Sequence, residues 1–262
     1  MKYCRFVAEE GAKFGLVTER DGDQWITGIL PFPWSLESEA VECPARLLKD
    51  VKLLIPVAPS KIVCVGRNYR DHARELGNEV PAEPLLFFKP LSSLLASGDP
   101  IELPAISDRV DFEGELAVVI SRPARNLVAG DDLGGYIHGY TLANDVTARD
   151  LQKKDGQWTR AKGFDTFCPV GPIVNTSLPV KGGLTIQTHV NGQLRQDGTT
   201  NDLIFSLAAL LEYITKFMTL EPGDLLLTGT PAGVGPLSVG DRVEVSVAGL
   251  GVLSNPVIAE RR

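Results

Sequence analysis

Cysteine is scarce in this 262-residue chain, and the four present, Cys4, Cys43, Cys64 and Cys168, share no C-x-x-C spacing. That scatter excludes a disulfide framework and a zinc knuckle and leaves isolated reduced thiols. Apolar runs of the roughly eighteen residues that a membrane span needs are absent. The opening MKYCRFVAEEGAKFG also lacks the apolar centre of a signal peptide. Both absences make the cytoplasm the expected compartment, with no membrane partner. Basic runs are missing too: 26 Lys and Arg stand against 33 Asp and Glu, a formal net charge of -7. An acidic chain without a Lys/Arg patch is poorly suited to a phosphate backbone, so nucleic acid is not an expected partner. Internal repeats and low-complexity tracts are lacking. What is there is ordinary globular usage, 44% apolar and 23% charged, enough for one large core or a core with an appendage.

Residues 1–57 read as short strands, YCRFVAEEG, KFGLVTERDG and QWITGIL, parted by Gly and Asp turns. The Pro-rich PFPWSLESEAVECP and an amphipathic piece around ARLLKDVKLLIPV follow. This predicts a small N-terminal β domain. Over 58–262 a larger unit is expected, with strands near 61–66, 85–88, 113–120, 136–143, 184–190, 225–228 and 242–247. One long helix is predicted over 202–220, where Ile204, Leu207, Leu211 and Ile214 recur at helical spacing and Asn201 or Asp202 can cap the start. So few helices among so many strands predict a β-rich mixed α+β fold and not a doubly wound one.

The segment VDFEGELAVVI, residues 110–120, has the composition of a buried strand yet carries three carboxylates. Side chains alternate along a strand, so Asp111, Glu113 and Glu115 fall on one face and Phe112, Leu116 and Val118 on the other. Such a face can simply meet solvent. It can also bind a hard cation, because glutamates about 6.6 Å apart along a strand can converge on one ion. A third ligand is then needed. In YTLANDVTARDLQ, Asp145, Arg149 and Gln152 are spaced by four and three, and a helical turn would bring them to one face. Asp145 could equally cap that turn and pair with Arg149. In VGRNYRDHARELG, His72 has Glu75 three residues on; a neighbouring carboxylate orients an imidazole and raises its basicity, as a water-activating base requires.

Taken with WTRAKGFDTFCPVGP (158–172) and LLLTGTPAGVG (225–235), these segments resemble the fumarylacetoacetate hydrolase superfamily over about the last two hundred residues. The resemblance implies a β-roll core carrying the N-terminal β appendage, and a homodimer. It implies Mg²⁺ or Mn²⁺ held by Glu113, Glu115 and Asp145, and all-oxygen ligation suits such hard cations. It also implies catalytic roles for His72, Glu75 and Lys162, and substrate contacts from Arg67, Tyr69, Arg149, Gln152 and Thr230. The longer namesake enzymes have a further metal-binding Asp seven residues before the catalytic His, where this chain has Val65. The chain therefore resembles the shorter members: acylpyruvate hydrolases, oxaloacetate decarboxylases and isomerase/decarboxylases of homoprotocatechuate breakdown. The activity so implied is a C–C bond hydrolase or decarboxylase acting on a 2-oxo acid (acylpyruvate, oxaloacetate or a related 2-oxo dicarboxylate) through a metal-bound enolate. A 2-hydroxyhepta-2,4-diene-1,7-dioate-type isomerase is the alternative. A non-enzymatic calcium-binding β module is the competing reading from another class; it leaves Lys162 and the His72/Glu75 pair without a role. His138 and His189 are expected to be structural.

Overall fold

The computed structural model describes residues 1–31, 39–75, 77 and 79–261, so half of the Pro-rich stretch, 32–38, lies outside the described residues. Alternating apolar positions make β1 (Lys2–Ala8), β2 (Gly11–Arg20), β3 (Asp23–Leu30) and β4 (Val41–Leu47), an antiparallel meander with β5 (Leu53–Leu54) laid back on β1. Then come β6 (Ile62–Gly66), α1 (Arg70–Glu75), β7 (Leu85–Lys89), β8 (Leu94–Ala96), β9 (Ile101–Leu103), β10 (Val110–Phe112), β11 (Gly114–Ile120), β12 (Ile137–Asn144) and β13 (Thr147–Ala148). Two short helices, α2 (Arg149–Asp155) and α3 (Thr159–Lys162), precede β14 (Cys168–Asn175), β15 (Thr185–Val190) and β16 (Gln193–Thr199). The chain closes with α4 (Leu207–Thr215), β17 (Leu225–Leu227), β18 (Gly235–Pro236), β19 (Arg242–Val247) and β20 (Gly251–Ala259). Each strand predicted beyond residue 60 is present, and the fold is the expected β-rich α+β type with an N-terminal β region.

Twelve strands form one sheet in the order β4-β3-β2-β1-β14-β12-β11-β17-β6-β7, with β5 beside β1 and β8 beside β14. Because β1 pairs with β14, the N-terminal strands continue the main sheet. A five-stranded sheet, β16-β15-β19-β20-β9, packs across β11 and β12, and a three-stranded one, β13-β10-β18, closes the end where the carboxylates lie. Strand β11 is buried on both faces. Leu116, Val118 and Ile120 enter a core with Ile186, Val245 and Leu253 of the second sheet and Leu210, Leu211 and Ile214 of α4. Ala117 and Val119 enter another with Tyr3, Cys168, Val170 and Leu225. Each large aliphatic so buried contributes roughly 1.5–3 kcal/mol, so the acidic segment hangs from one of the most firmly held strands. The four cysteines are free. Burial pushes the thiols of Cys4 and Cys168 up to about 12, far from nucleophilic.

The long helix is shorter than its periodicity predicts. Residues 203–205 are not helical because Asn68 captures them: Phe205 N–H donates to Asn68 Oδ1 (2.8 Å) and Ile204 N–H to the Asn68 carbonyl (2.8 Å). Helix α4 therefore starts at Leu207, capped by Ser206, whose Oγ accepts from Ala209 N–H (3.3 Å), and neither Asn201 nor Asp202 caps it. No helix among the described residues is long and apolar enough to cross a membrane.

His138 on β12 packs its ring 5.7 Å from that of Tyr3. Burial, and then the N-terminal ammonium, lower its pKa to about 4. A folded-state value below the unfolded one means the folded chain prefers the neutral ring. Its contribution to stability is full above pH 6.5 and is lost as pH falls from there toward 4. That loss is about 2 kcal/mol after discounting the incompletely buried ring. Denaturant melts at pH 7 and pH 4.5 should show it in the wild type and not in His138→Phe.

Candidate metal centre and active site

The strand read as continuous over 110–120 is two strands. Strand β10 pairs with β13 and β18, β11 with β12 and β17, and the partners change at Glu113. One side-chain and one backbone bond stand in for the ladder there: Glu113 N–H donates to Asn144 Oδ1 (2.9 Å), and the Glu113 carbonyl accepts from the Asp145 backbone N–H (2.8 Å). The break separates the three acids. Glu113 and Glu115, with Asp145 from the end of β12, are all buried and offer oxygens within 4.8 Å of one another. Asp111, expected on the same face, is fully buried elsewhere, between Arg109 Nε (2.9 Å) and Arg149 Nε (2.9 Å). Nor does Asp145 share a helix with Arg149 and Gln152: α2 begins at Arg149, and Arg149 pairs with Asp111 and Glu113, not Asp145. The spacing of three does hold within α2, where Arg149 Nη1 donates to Gln152 Oε1 (2.9 Å).

The charges around the cluster are unevenly compensated. Lys162 Nζ bridges Glu113 Oε2 (2.7 Å) and Asp145 Oδ2 (2.6 Å). Lys89, whose side chain is wholly buried, donates to Asp145 Oδ1 (2.7 Å) and the Val146 carbonyl (3.1 Å). Burial works against the ionised forms of both Glu113 and Lys162. For Glu113 the cations Arg149 and Lys162 outweigh it and hold the carboxyl well below the usual range. For Lys162 the carboxylates of Asp145 and Glu113 outweigh it and hold the ammonium above its ordinary value. Glu115 differs: its hydrogen bond comes from Gly229 N–H (2.7 Å), and burial followed by the charges of Asp145 and Glu113 pushes its carboxyl well up. A buried carboxylate with two others beside it and no ion pair of its own among the described residues calls for positive charge. Oxygens at opposite ends of a hard divalent ion lie roughly 4.2–4.8 Å apart, so the donor set fits Mg²⁺, Mn²⁺ or Ca²⁺.

The cluster opens into a cavity of about 470 Å³, in the range of small-molecule sites. Arg67, His72, Arg149, Gln152, Lys162 and Thr230 line it together with the three acids, while Phe87 and Trp158 form an apolar wall. The Lys162 ammonium stands 4.8 Å from the Phe87 ring centre and 6.0 Å from that of Trp158. His72 is buried; its Nε2 lies 3.7 Å from Glu113 Oε1 and its Nδ1 3.5 Å from Glu75 Oε2. Burial pushes this imidazole below its ordinary value, against the pull of Glu113, so it is neutral at pH 7 and able to accept a proton. Glu75 stands at the rim, where it also accepts the Gly233 N–H (3.1 Å).

Two predicted substrate contacts stand differently. Tyr69 lies in the apolar core with Val63, Leu116 and Leu211, not in the cavity lining. Thr230 reaches the cavity, but its hydroxyl donates to the Gly114 carbonyl (2.8 Å) and accepts from Gln196 Nε2 (2.7 Å). Sequence reasoning missed Lys89, Asn144, Lys153, Trp158 and Gln196. For Lys89 a signal existed: a lysine ending the apolar run LLFFK is buried only if an anion awaits it.

A sequence model of the fumarylacetoacetate (FAA) hydrolase C-terminal family matches residues 61–258, the span that holds every one of these side chains. The chain belongs to this family. It is 42% identical over 224 residues to oxaloacetate tautomerase YisK of Bacillus subtilis, covering 80% of this chain and 74% of that protein. It is 46% identical over 196 residues to the mitochondrial oxaloacetate decarboxylase of Dictyostelium discoideum, covering 72% and 89%. The crystal structure of 2-hydroxyhepta-2,4-diene-1,7-dioate isomerase from Mycobacterium marinum superposes with a TM-score of 0.89 at 41% identity, covering all of both chains. The chain is thus a fumarylacetoacetate hydrolase-family enzyme of the short type, with Glu113, Glu115 and Asp145 as its candidate metal site.

Proposed function

We propose that this enzyme acts on a 2-oxo dicarboxylate as a divalent-cation-dependent C–C bond hydrolase or decarboxylase that proceeds through an enolate. The observation that carries this reading is the acidic trio sharing one cavity with Lys162, Arg149 and a neutral His72. A cation held by Glu113, Glu115 and Asp145 would supply electrophilic polarisation of the keto oxygen. The remaining work falls to the chain's own groups. The Lys162 ammonium and Arg149 guanidinium are positioned for the oxyanion that develops as the bond beyond C3 breaks. Phe87 and Trp158 keep water from that charge. In hydrolysis His72 accepts a proton from the water that attacks the distal carbonyl, the acyl carbon becomes a carboxylic acid and the bonding pair leaves with the enolate; loss of CO₂ needs no such water. Enol–keto isomerisation is a second reading, favoured by His72 itself, since a neutral imidazole inside the cavity can carry a proton between the carbon and oxygen of an enol.

A dicarboxylate is preferred to a neutral-tailed acylpyruvate because two further cations, Arg67 and Lys153, line the cavity without a carboxylate partner among the described residues. Arg67 also holds a left-handed backbone (φ 57°), which a non-glycine residue adopts at a cost of about 1 kcal/mol. A panel of 2-oxo dicarboxylic and acylpyruvic acids assayed with Mg²⁺ and Mn²⁺ tests the reading. Arg67→Ala and Lys153→Ala should each raise KM for the dicarboxylate about tenfold, the worth of a hydrogen bond to a charged group, and leave neutral-tailed substrates unchanged. Equal effects on both substrate types, or no turnover of any 2-oxo acid, would count against it.

A further inference from the structure

We infer that Gln196 is a positioning residue for the metal-binding carboxylates, holding the peptide between Glu113 and Glu115 in register with the loop that carries Gly229 and Thr230. The inference rests on the reading of the acidic trio as a cation site. Gln196 comes from β16, in the five-stranded sheet, 82 residues from Gly114 in sequence, and is fully buried. Its Oε1 accepts the Gly114 N–H (3.0 Å), and its Nε2 donates to Thr230 Oγ1 (2.7 Å) and to the Pro231 carbonyl (2.7 Å). Thr230 Oγ1 in turn donates to the Gly114 carbonyl (2.8 Å). The three groups close a ring through one residue: Gly114 N–H to amide, amide to hydroxyl, hydroxyl back to the Gly114 carbonyl.

That ring sits at the start of β11, on the edge that β17 does not reach. Gly114 opens β11 opposite Asn144 of β12, and its own N–H and C=O are held by the Gln196 and Thr230 side chains. Both glutamates adjoin this residue, and a shift there moves both together. The other end of the ring is equally consequential. Thr230 follows Gly229, whose N–H is the donor to Glu115 Oε2 (2.7 Å), so the same tie sets the distance between ligand and donor. Gly114 admits the arrangement because a Cβ there would collide with the Thr188 hydroxyl and crowd Gln196 Oε1. An amide is the one side chain of this size that offers an acceptor to the N–H and a donor to the hydroxyl at once. Partners that orient metal ligands typically contribute ten- to a hundredfold in cation affinity.

The test is Mn²⁺ titration of chelator-treated protein, read by the EPR signal of free Mn²⁺, with thermal melts alongside. Wild type must bind; if it does not, the cation-site reading itself fails. Gln196→Met, close in volume and unable to form any of the three hydrogen bonds, should raise the Mn²⁺ dissociation constant at least tenfold and shrink the rise in Tm that Mn²⁺ produces. Should Gln196→Met not fold, Thr230→Val opens the ring at its other corner and should also raise the dissociation constant severalfold. An unchanged constant in the folded variant overturns the inference. So does a fall in Tm that is equal with and without Mn²⁺, the behaviour of a residue that serves stability alone.

Discussion

Chelator treatment should abolish turnover, Mg²⁺ or Mn²⁺ should restore it, and Glu113→Ala or Asp145→Ala should resemble the stripped enzyme with losses on the order of a thousandfold or more. The magnitude follows from the several kcal/mol of charge stabilisation that a cation supplies to a developing oxyanion, at 1.36 kcal/mol per factor of about ten. Lys162 cannot substitute, because its ammonium contacts Glu113 and Asp145 and leaves Glu115 to a single peptide N–H. Glu115 also gives the site a pH dependence of known sign. Burial and the neighbouring Asp145 and Glu113 raise its pKa, so the stripped site holds its proton to higher pH than an ordinary carboxyl, and below that pKa the cation must displace it. Cation affinity should therefore climb as pH rises through the elevated Glu115 pKa, by up to about tenfold per pH unit where one proton is released. Calorimetry in buffers of different ionisation enthalpy measures that proton directly. Full turnover of the Glu113→Ala protein in chelator would sink the metal-dependent reading.

The second large effect is expected from Lys162→Met and His72→Ala, each folded, each cation-loaded, and each slower by roughly a hundredfold or more. The two should differ in kind. Lys162 is wedged between two carboxylates of the candidate metal site and against the Phe87 ring, so its loss should weaken substrate binding and rate together. If the reaction is hydrolytic, His72 serves the proton transfer alone, so kcat falls while KM stays near that of the wild type. Because burial lowers the His72 pKa, the wild-type rate should hold down to a pH below 6.5 before an acid limb appears, as protonation removes the base. His72→Ala should lack that limb. Near-wild-type rates in both proteins would leave the mechanism without its base and its oxyanion partner.

Local chemistry on one stretch of chain was legible without a structure. Alternation of apolar residues located the strands, since a strand exposes its two faces at a period of two whatever surrounds it. The clash between carboxylates and an apolar segment marked Glu113 and Glu115, and the spacing of three placed Arg149 beside Gln152 on α2. His72 and Glu75 are likewise neighbours on α1. Periodicity over-extended the helix at 202–220, because it cannot register that Asn68, 137 residues from Phe205, takes the backbone there. It also ran one strand through Glu113, where the change of partner strands turns Asp111 away to brace Arg149.

Some things were decided only by tertiary structure. Lys89 neutralises Asp145 from 56 residues away, Lys162 spans two carboxylates from 49 and 17, and Gln196 holds Gly114 from 82. The resemblance to a family named Lys162 as catalytic and Tyr69 and Thr230 as substrate contacts, and the fold then placed Tyr69 in the core and tied the Thr230 hydroxyl to Gly114. The amino-acid sequence by itself determined which side chains were too polar for their surroundings and hence where chemistry lay. Which of them meet, and which charge each one answers, depended on sheets brought together across the chain, since an ion pair or a buried hydrogen bond is set by distance in space and sequence spacing reports that distance only within a turn of helix or a few residues of strand.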